Sequence, residues 1–181
     1  MSPLEIDRTL IQAAPLFEHP VLTAVFVLLS AWWVKALLVA LGLGWDLKRG
    51  RRVPIVAAAT TAALLCASTV TEGLKHVFDR VRPPEAEPGL ESLVALPGNP
   101  SFPSGHSASA FAGATVVALL CPRLRFWALG LAAAVALSRI YLRVHYPLDV
   151  VAGALVGAAL GVAAALVAQR LMAGKPLRLA L

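Results

Sequence analysis

The sequence predicts an all-α integral membrane bundle of about five transmembrane helices, preceded by an N-terminal amphipathic helix lying in the interface. Three observations predict it. Of 181 residues, 59% are hydrophobic and only 14% charged, with a mean hydropathy of +0.76, which is too apolar for an ordinary soluble domain. Apolar runs recur at about the 20-residue length that crosses a bilayer as helix. The charged residues gather in short segments between those runs. Nothing in the chain reads as a repeat, a low-complexity tail or a second domain, so residues 1–181 are expected to form one.

Residues 3–17 set Leu4, Ile6, Leu10, Ile11 and Leu16 against Glu5, Asp7, Arg8 and Gln12, too polar a mixture to cross but suited to lying in the interface over residues 1–19. Acidic residues come first and no basic start leads into an apolar core, so a cleavable signal peptide is not expected. The five candidate spans are about 20–44, 53–74, 104–121, 126–142 and 148–170. Lys35, inside the first, either snorkels or faces the bundle. Cys66 falls mid-span and Cys121 near the cytoplasmic end of another span, so neither a disulfide nor a metal cluster is implied. His19 and His76 read as solvated near interfaces. The long connection is 75–103, punctuated by Pro83-Pro84, Pro88-Gly89 and Pro97-Gly98 and solvated by Glu85, Glu87 and Glu91. A loop of that length in so small a chain points to function. In the last span Gly153, Gly157 and Gly161 recur every four residues, which predicts close packing on a neighbouring helix.

The net charge of +6 does not indicate a nucleic-acid partner, because the basic residues are not spread as a binding face. Lys48, Arg49, Arg51 and Arg52 share one loop, Arg123 and Arg125 another, and Arg170, Lys175 and Arg178 lie at the C-terminal end. Five spans put all three groups on one side, which the positive-inside tendency makes cytoplasmic. Trp45 and Trp127 would then be anchors on that side, with Trp32 and Trp33 as further interfacial candidates.

Three polar blocks sit at span edges on the opposite side: Lys75 with Arg82-Pro83, then Pro103-Ser104-Gly105-His106, then Ser138-Arg139 with His145 and Asp149. Ionisable groups are costly in hydrocarbon, so their grouping points to a polar site at the membrane surface. Lys75, Arg82 and Arg139 are either snorkelling side chains at helix ends or an anion site, and arginine's fork suits two phosphate oxygens at once. Ser104 suits a helix N-cap and Gly105 close backbone approach, where free N–H groups can seat an anion. Capping leaves His106 unexplained. Pro147 suits the first turn of the last span. Asp149 in that turn either complements the helix dipole or holds one ring nitrogen of His145, four residues earlier, leaving the other free as a nucleophile.

Lys-x6-Arg-Pro, Pro-Ser-Gly-His and Ser-Arg-x5-His-x3-Asp, in this order, resemble the three signature blocks of the type 2 phosphatidic acid phosphatase superfamily, membrane lipid phosphatases related to vanadium haloperoxidases. The resemblance covers residues 75–149 directly. It implies that Lys75, Arg82, Ser104, Gly105 and Arg139 bind the phosphate, that His106 is the general acid, and that His145 forms a phosphohistidine with Asp149 orienting it. It implies no cofactor and no metal, since cationic side chains meet the phosphate charge and His145 replaces a metal-bound hydroxide. The expected partners are the bilayer and a lipid phosphate. The expected location is a bacterial inner membrane with the site on the outer face.

Undecaprenyl diphosphate is the leading substrate, with phosphatidylglycerophosphate, phosphatidic acid and a phosphorylated glycolipid left open. Arg80 and Arg143 flank the blocks and either receive a second phosphate or pair with Asp79 or an outer glutamate, and Glu72 is placed to pair with one of them. A non-catalytic lipid-binding protein and a vanadate-dependent haloperoxidase are the rivals from other classes.

Overall fold

The computed structural model describes residues 2–174; Lys175 and Arg178 of the C-terminal basic group lie outside them. The chain is all-α, with no strand among the described residues. Its helices are α1 (Pro3–Ala13), α2 (Pro20–Leu29), α3 (Trp33–Lys48), α4 (Ile55–Phe78), the single turn α5 (Pro83–Ala86), α6 (Gly105–Leu120), α7 (Arg125–Tyr141) and α8 (Pro147–Met172).

By length and apolar composition three helical stretches can cross a membrane, Ile55–Ala86, Pro122–Tyr141 and Pro147–Met172, and α2 with α3 makes a fourth if the bent pair is counted as one span. Two of the five expected spans are not single helices of crossing length. The first is no straight helix: α2 and α3 meet at 53°, and a hydroxyl bond from Ser30 Oγ to Ser138 Oγ (2.8 Å) ties the break to α7. The third, α6, has 16 residues, about 24 Å at 1.5 Å each, short of a bilayer core of about 30 Å. It can be short because it is the central helix, packed by α8, α4, α7 and α3. Around it the bundle turns an apolar outer surface to its surroundings, including Leu65, Leu137, Val151, Leu155 and Phe126.

The end carrying the basic loops is held by Asp46. Its Oδ2 accepts from the N–H groups of Val56 (2.8 Å) and Ala57 (3.1 Å), capping α4 from outside, while Oδ1 accepts from Arg51. Trp45 is buried there, with Arg49 over its ring, so it is a core residue and not the exposed anchor expected. Trp127 and Trp32 are exposed.

At the other end lie the 79–104 connection, the 142–146 turn and α1. Ser2 and Glu5 cap α1 reciprocally. Leu4, Ile6 and Leu10 face outward, whereas Ile11 is buried against Leu90 and Tyr146, and Asp7 is buried as well. α4 stops at Asp79, whose left-handed backbone (φ +41°) is a conformation aspartate tolerates better than most residues.

The close packing expected of the glycine repeat is present between α8 and α6. A Cβ built on Gly153, Gly157 or Gly161 would lie 2.4 Å from the Ser104 carbonyl oxygen, 2.0 Å from that of Ala108 and 2.5 Å from that of Ala112. The α6 backbone occupies the space a side chain would need. Gly157→Ala is therefore expected to destabilise the bundle by about 1–3 kcal/mol through overpacking. Gly130→Ala, with nothing within 4 Å of its added carbon, should be neutral or slightly stabilising. Thermal unfolding of both in detergent checks this; equal midpoints would contradict the packing role of Gly157.

Candidate active site

The three sequence blocks converge at the end of the bundle bearing the long connection. A cavity of about 200 Å³ is lined there by Lys75, Arg82, Gly105, His106 and His145 together with Lys35, Ser68, Thr71, Glu72, Pro97 and Asn99. Lys75 comes from the last turn of α4, His106 from the first turn of α6, and His145 from the turn between α7 and α8. Arg139, Ser104 and Asp149 stand behind the lining. Arg139 is buried, with its Nε lacking any hydrogen-bond partner, and its charge bears on both Lys75 and His145. Ser104 is the N-cap of α6: its hydroxyl accepts from the Ser107 N–H (3.4 Å) and Oγ–H (3.0 Å).

His145 and Asp149 are closer to a relay than to the direct pair expected from their spacing. Asp149 Oδ2 lies 3.6 Å from His145 Nδ1, and Ser101, fully buried, stands between them. Ser101 Oγ donates to Asp149 Oδ2 (2.5 Å) and lies 3.3 Å from His145 Nδ1. A hydroxyl has one proton, and this one goes to the carboxylate. The serine oxygen can therefore only accept from Nδ1–H, which leaves Nε2 as the bare nitrogen. Burial drives the imidazole down to about 4, Asp149 opposing and Arg82 and Arg139 adding to the effect, so His145 is neutral at physiological pH. The sequence reading missed Ser101; its only signal was a serine three residues before Ser104 in a loop already suspected of function.

Asp149 is held from every side. Its Oδ2 also accepts from the Tyr146 N–H (2.9 Å), the reciprocal cap at the start of α8, and Oδ1 accepts from Arg80 Nη1 (2.6 Å). Arg80 Nη2 donates to Asp7 Oδ2 (2.7 Å), while Asp7 Oδ1 accepts from the Leu148 N–H (2.8 Å). Arg80 thus bridges α1 to the carboxylate behind His145, and its guanidinium lies 4.0 Å above the Tyr146 ring.

Both flanking arginines are already engaged. Arg80 is held by Asp7 and Asp149, and Arg143 pairs with Glu18 and donates to the Glu91 carbonyl, so neither presents a free fork to a second phosphate. Glu72 pairs with neither of them. It lies 4.0 Å from Lys75 and accepts from Asn99. Arg82 has a double task. It donates to the carbonyls of Asn99 (2.9 Å) and Val144 (2.7 Å) and to Asn99 Oδ1 (2.8 Å), pinning the connection, yet no carboxylate pairs with it among the described residues. Nor, among those residues, do three or more His, Cys, Asp or Glu side chains gather so as to hold a metal ion.

Residues 53–173 match the model of the PAP2 superfamily. The chain belongs to that superfamily. It is 35% identical over 112 residues to an undecaprenyl-diphosphatase of Sulfolobus acidocaldarius, a match covering 61% of this chain and 52% of that protein. It is 37% identical over 132 residues to a decaprenylphosphoryl-5-phosphoribose phosphatase of Mycobacterium tuberculosis, covering 72% and 67% of the two chains. The first match thus spans about half of that relative's length. The crystal structure of a transmembrane PAP2 type phosphatidylglycerolphosphate phosphatase from Bacillus subtilis superposes with a TM-score of 0.72 over 97% of this chain and 89% of that one. At 24% identity, that likeness establishes the fold.

The tautomer and charge of His145 are open to direct observation. In 15N-histidine spectra of the protein in nanodiscs, His145 is expected to show a protonated Nδ1 and an unprotonated Nε2, without titrating between pH 8 and pH 5. Because burial lowers its value to about 4, the charged form should grow in only as the pH falls toward that value. An imidazole that titrates near 6.5 would contradict the buried relay.

Proposed function

We propose that this protein is a membrane phosphatase that removes the terminal phosphate of a lipid phosphate or diphosphate through a phosphohistidine on His145, with undecaprenyl diphosphate the leading substrate. The observation that carries the reading is a neutral histidine with a bare Nε2 at the wall of a cavity that also holds Lys75, Arg82 and a second histidine. Two relatives whose names give polyprenyl lipids as substrates support the lipid class.

In this mechanism Nε2 of His145 attacks phosphorus, and the bond from phosphorus to the bridging oxygen breaks with its electron pair going to that oxygen. His106, which takes up a proton as the phosphate dianion enters and offsets the surrounding cations, gives it to the oxygen as it leaves. Water then attacks the phosphohistidine, giving its proton to His106, and the P–N bond breaks to release phosphate and restore both histidines. Lys75, Arg82 and Arg139 hold the phosphoryl oxygens, aided by the first-turn N–H groups beside Ser104 and Gly105, where the developing charge is greatest. Asp149, through Ser101, keeps Nδ1 protonated and stabilises the positive ring formed on attack.

Phosphate release from a panel of lipid phosphates in detergent tests the reading. Wild type should turn over at least one of undecaprenyl diphosphate, phosphatidylglycerophosphate and phosphatidic acid, should remain active in chelator and should be inhibited by vanadate. His145→Ala should lose at least about a thousandfold in kcat. Normal turnover by His145→Ala, or strict dependence on added divalent metal, would reject the mechanism. A protein that binds these lipids without releasing phosphate is the non-catalytic alternative.

The site is proposed to face outward from a bacterial inner membrane, with α1 laid in the interface by Leu4, Ile6 and Leu10. Supporting this, Lys48, Arg49, Arg51, Arg52, Arg123 and Arg125 lie in or beside the connections at the bundle end remote from the cavity, and Arg170 lies in the last turn of α8. A cysteine placed within 85–98, in a background lacking Cys66 and Cys121, should react with an impermeant reagent in intact spheroplasts. Labelling only after lysis would reverse the orientation.

A further inference from the structure

Lys35 is the one residue of the α2–α3 pair among those lining the cavity, and no sequence block includes it. It belongs to the first turn of α3, just beyond the break at residues 30–32. That break is tied by Ser30 Oγ to Ser138, the neighbour of Arg139. The same hydroxyl bond thus brings the helix start bearing Lys35 to the segment bearing Arg139, whose charge bears on Lys35. Among the described residues no carboxylate pairs with Lys35 or Arg139. The one acid in the lining, Glu72, is beside Lys75 and Asn99 and half exposed.

The cations divide into two sets. Arg80 and Arg143 are paired with carboxylates; Lys35, Lys75 and Arg82 line the cavity with Arg139 behind them, and among the described residues the one carboxylate paired with any of the four is Glu72, 4.0 Å from Lys75. A phosphate monoester carries about −1.5 to −2 at neutral pH, which the charges of Lys75, Arg82 and Arg139 already exceed. Lys35 is in excess for one phosphate. An unpaired ammonium in a membrane helix is costly unless an anion meets it, and a second phosphate on the same head group is such an anion.

We infer that Lys35 binds the lipid-proximal phosphate of a diphosphate substrate, the group that departs as lipid monophosphate, and thereby sets a preference for diphosphates over monophosphates. The inference rests on the lipid phosphatase reading above. When the bond from the terminal phosphorus to the bridging oxygen breaks, charge builds on the departing phosphate, and a fixed ammonium beside it lowers that barrier. A lipid monophosphate leaves an alcohol and offers Lys35 nothing to hold.

The test compares farnesyl diphosphate with farnesyl monophosphate, which share one tail, for wild type, Lys35→Met, Lys35→Arg and Arg80→Ala. A charge-assisted contact of this kind is worth about 10- to 100-fold, so the diphosphate-to-monophosphate ratio of kcat/KM should fall by that factor in Lys35→Met and recover substantially in Lys35→Arg. Arg80→Ala, acting through Asp149, should lower turnover of both substrates while leaving the ratio where it was. A Lys35→Met ratio equal to wild type would overturn the inference, whether both activities fall together or neither changes, as would a wild type that accepts only the monophosphate. A wild type that releases phosphate from neither substrate nor from any lipid of the wider panel would instead remove the phosphatase reading beneath it.

Discussion

The site depends on the closeness of α8 to α6. Helices in a membrane gain little from hiding apolar surface from one another, so they associate through close van der Waals packing where small residues allow it. Gly153, Gly157 and Gly161 give α8 a groove in which the α6 carbonyls of Ser104, Ala108 and Ala112 sit at distances no side chain would permit. At the top of that contact the Ser104 N–H donates to the Asp149 carbonyl (2.9 Å), joining the two helix starts. His106 and the His145–Asp149 pair, about forty residues apart in sequence, are thereby brought to one cavity. A shift of one helix along the other would separate them.

On that frame the charges are arranged by neutralisation. Carboxylates hold the arginines that build the scaffold: Arg51 by Asp46, Arg80 by Asp7 and Asp149, Arg143 by Glu18. Around the cavity, by contrast, positive charge is left largely uncompensated, and Arg139 keeps a buried Nε with no partner. Asp7 extends the scaffold to α1, which caps α8 through the Leu148 N–H and steadies Arg80 against Asp149.

Much of this was legible in the sequence, and the parts that were not share a cause. The positions of α4, α6, α7 and α8 followed from apolar runs, the α6 start from Ser104 and Gly105, the α8 start from Pro147, and the helix contact from the glycine spacing; all are local patterns. The roles of Arg80, Arg143 and Glu72 were misjudged or left open because their partners lie far away in sequence or on another element. Ser101 meets His145 across 44 positions, and Arg80 meets Asp7 across 73. The break between α2 and α3 rests on one hydroxyl pair 108 residues apart, so an unbroken apolar run concealed both the bend and the direction of Lys35. Trp45 looked like an anchor because composition does not tell the lipid-facing side of a helix from its packed side.

The central claim is that His145 takes the phosphoryl group before water does. Rapid-quench trapping with a substrate carrying 32P in its terminal phosphate tests it most directly. The account predicts a transient phosphoenzyme, labile to acid and stable to base, whose label maps to the peptide containing His145. Turnover at a normal rate with no labelled protein under single-turnover conditions, or label on any other residue, would contradict it.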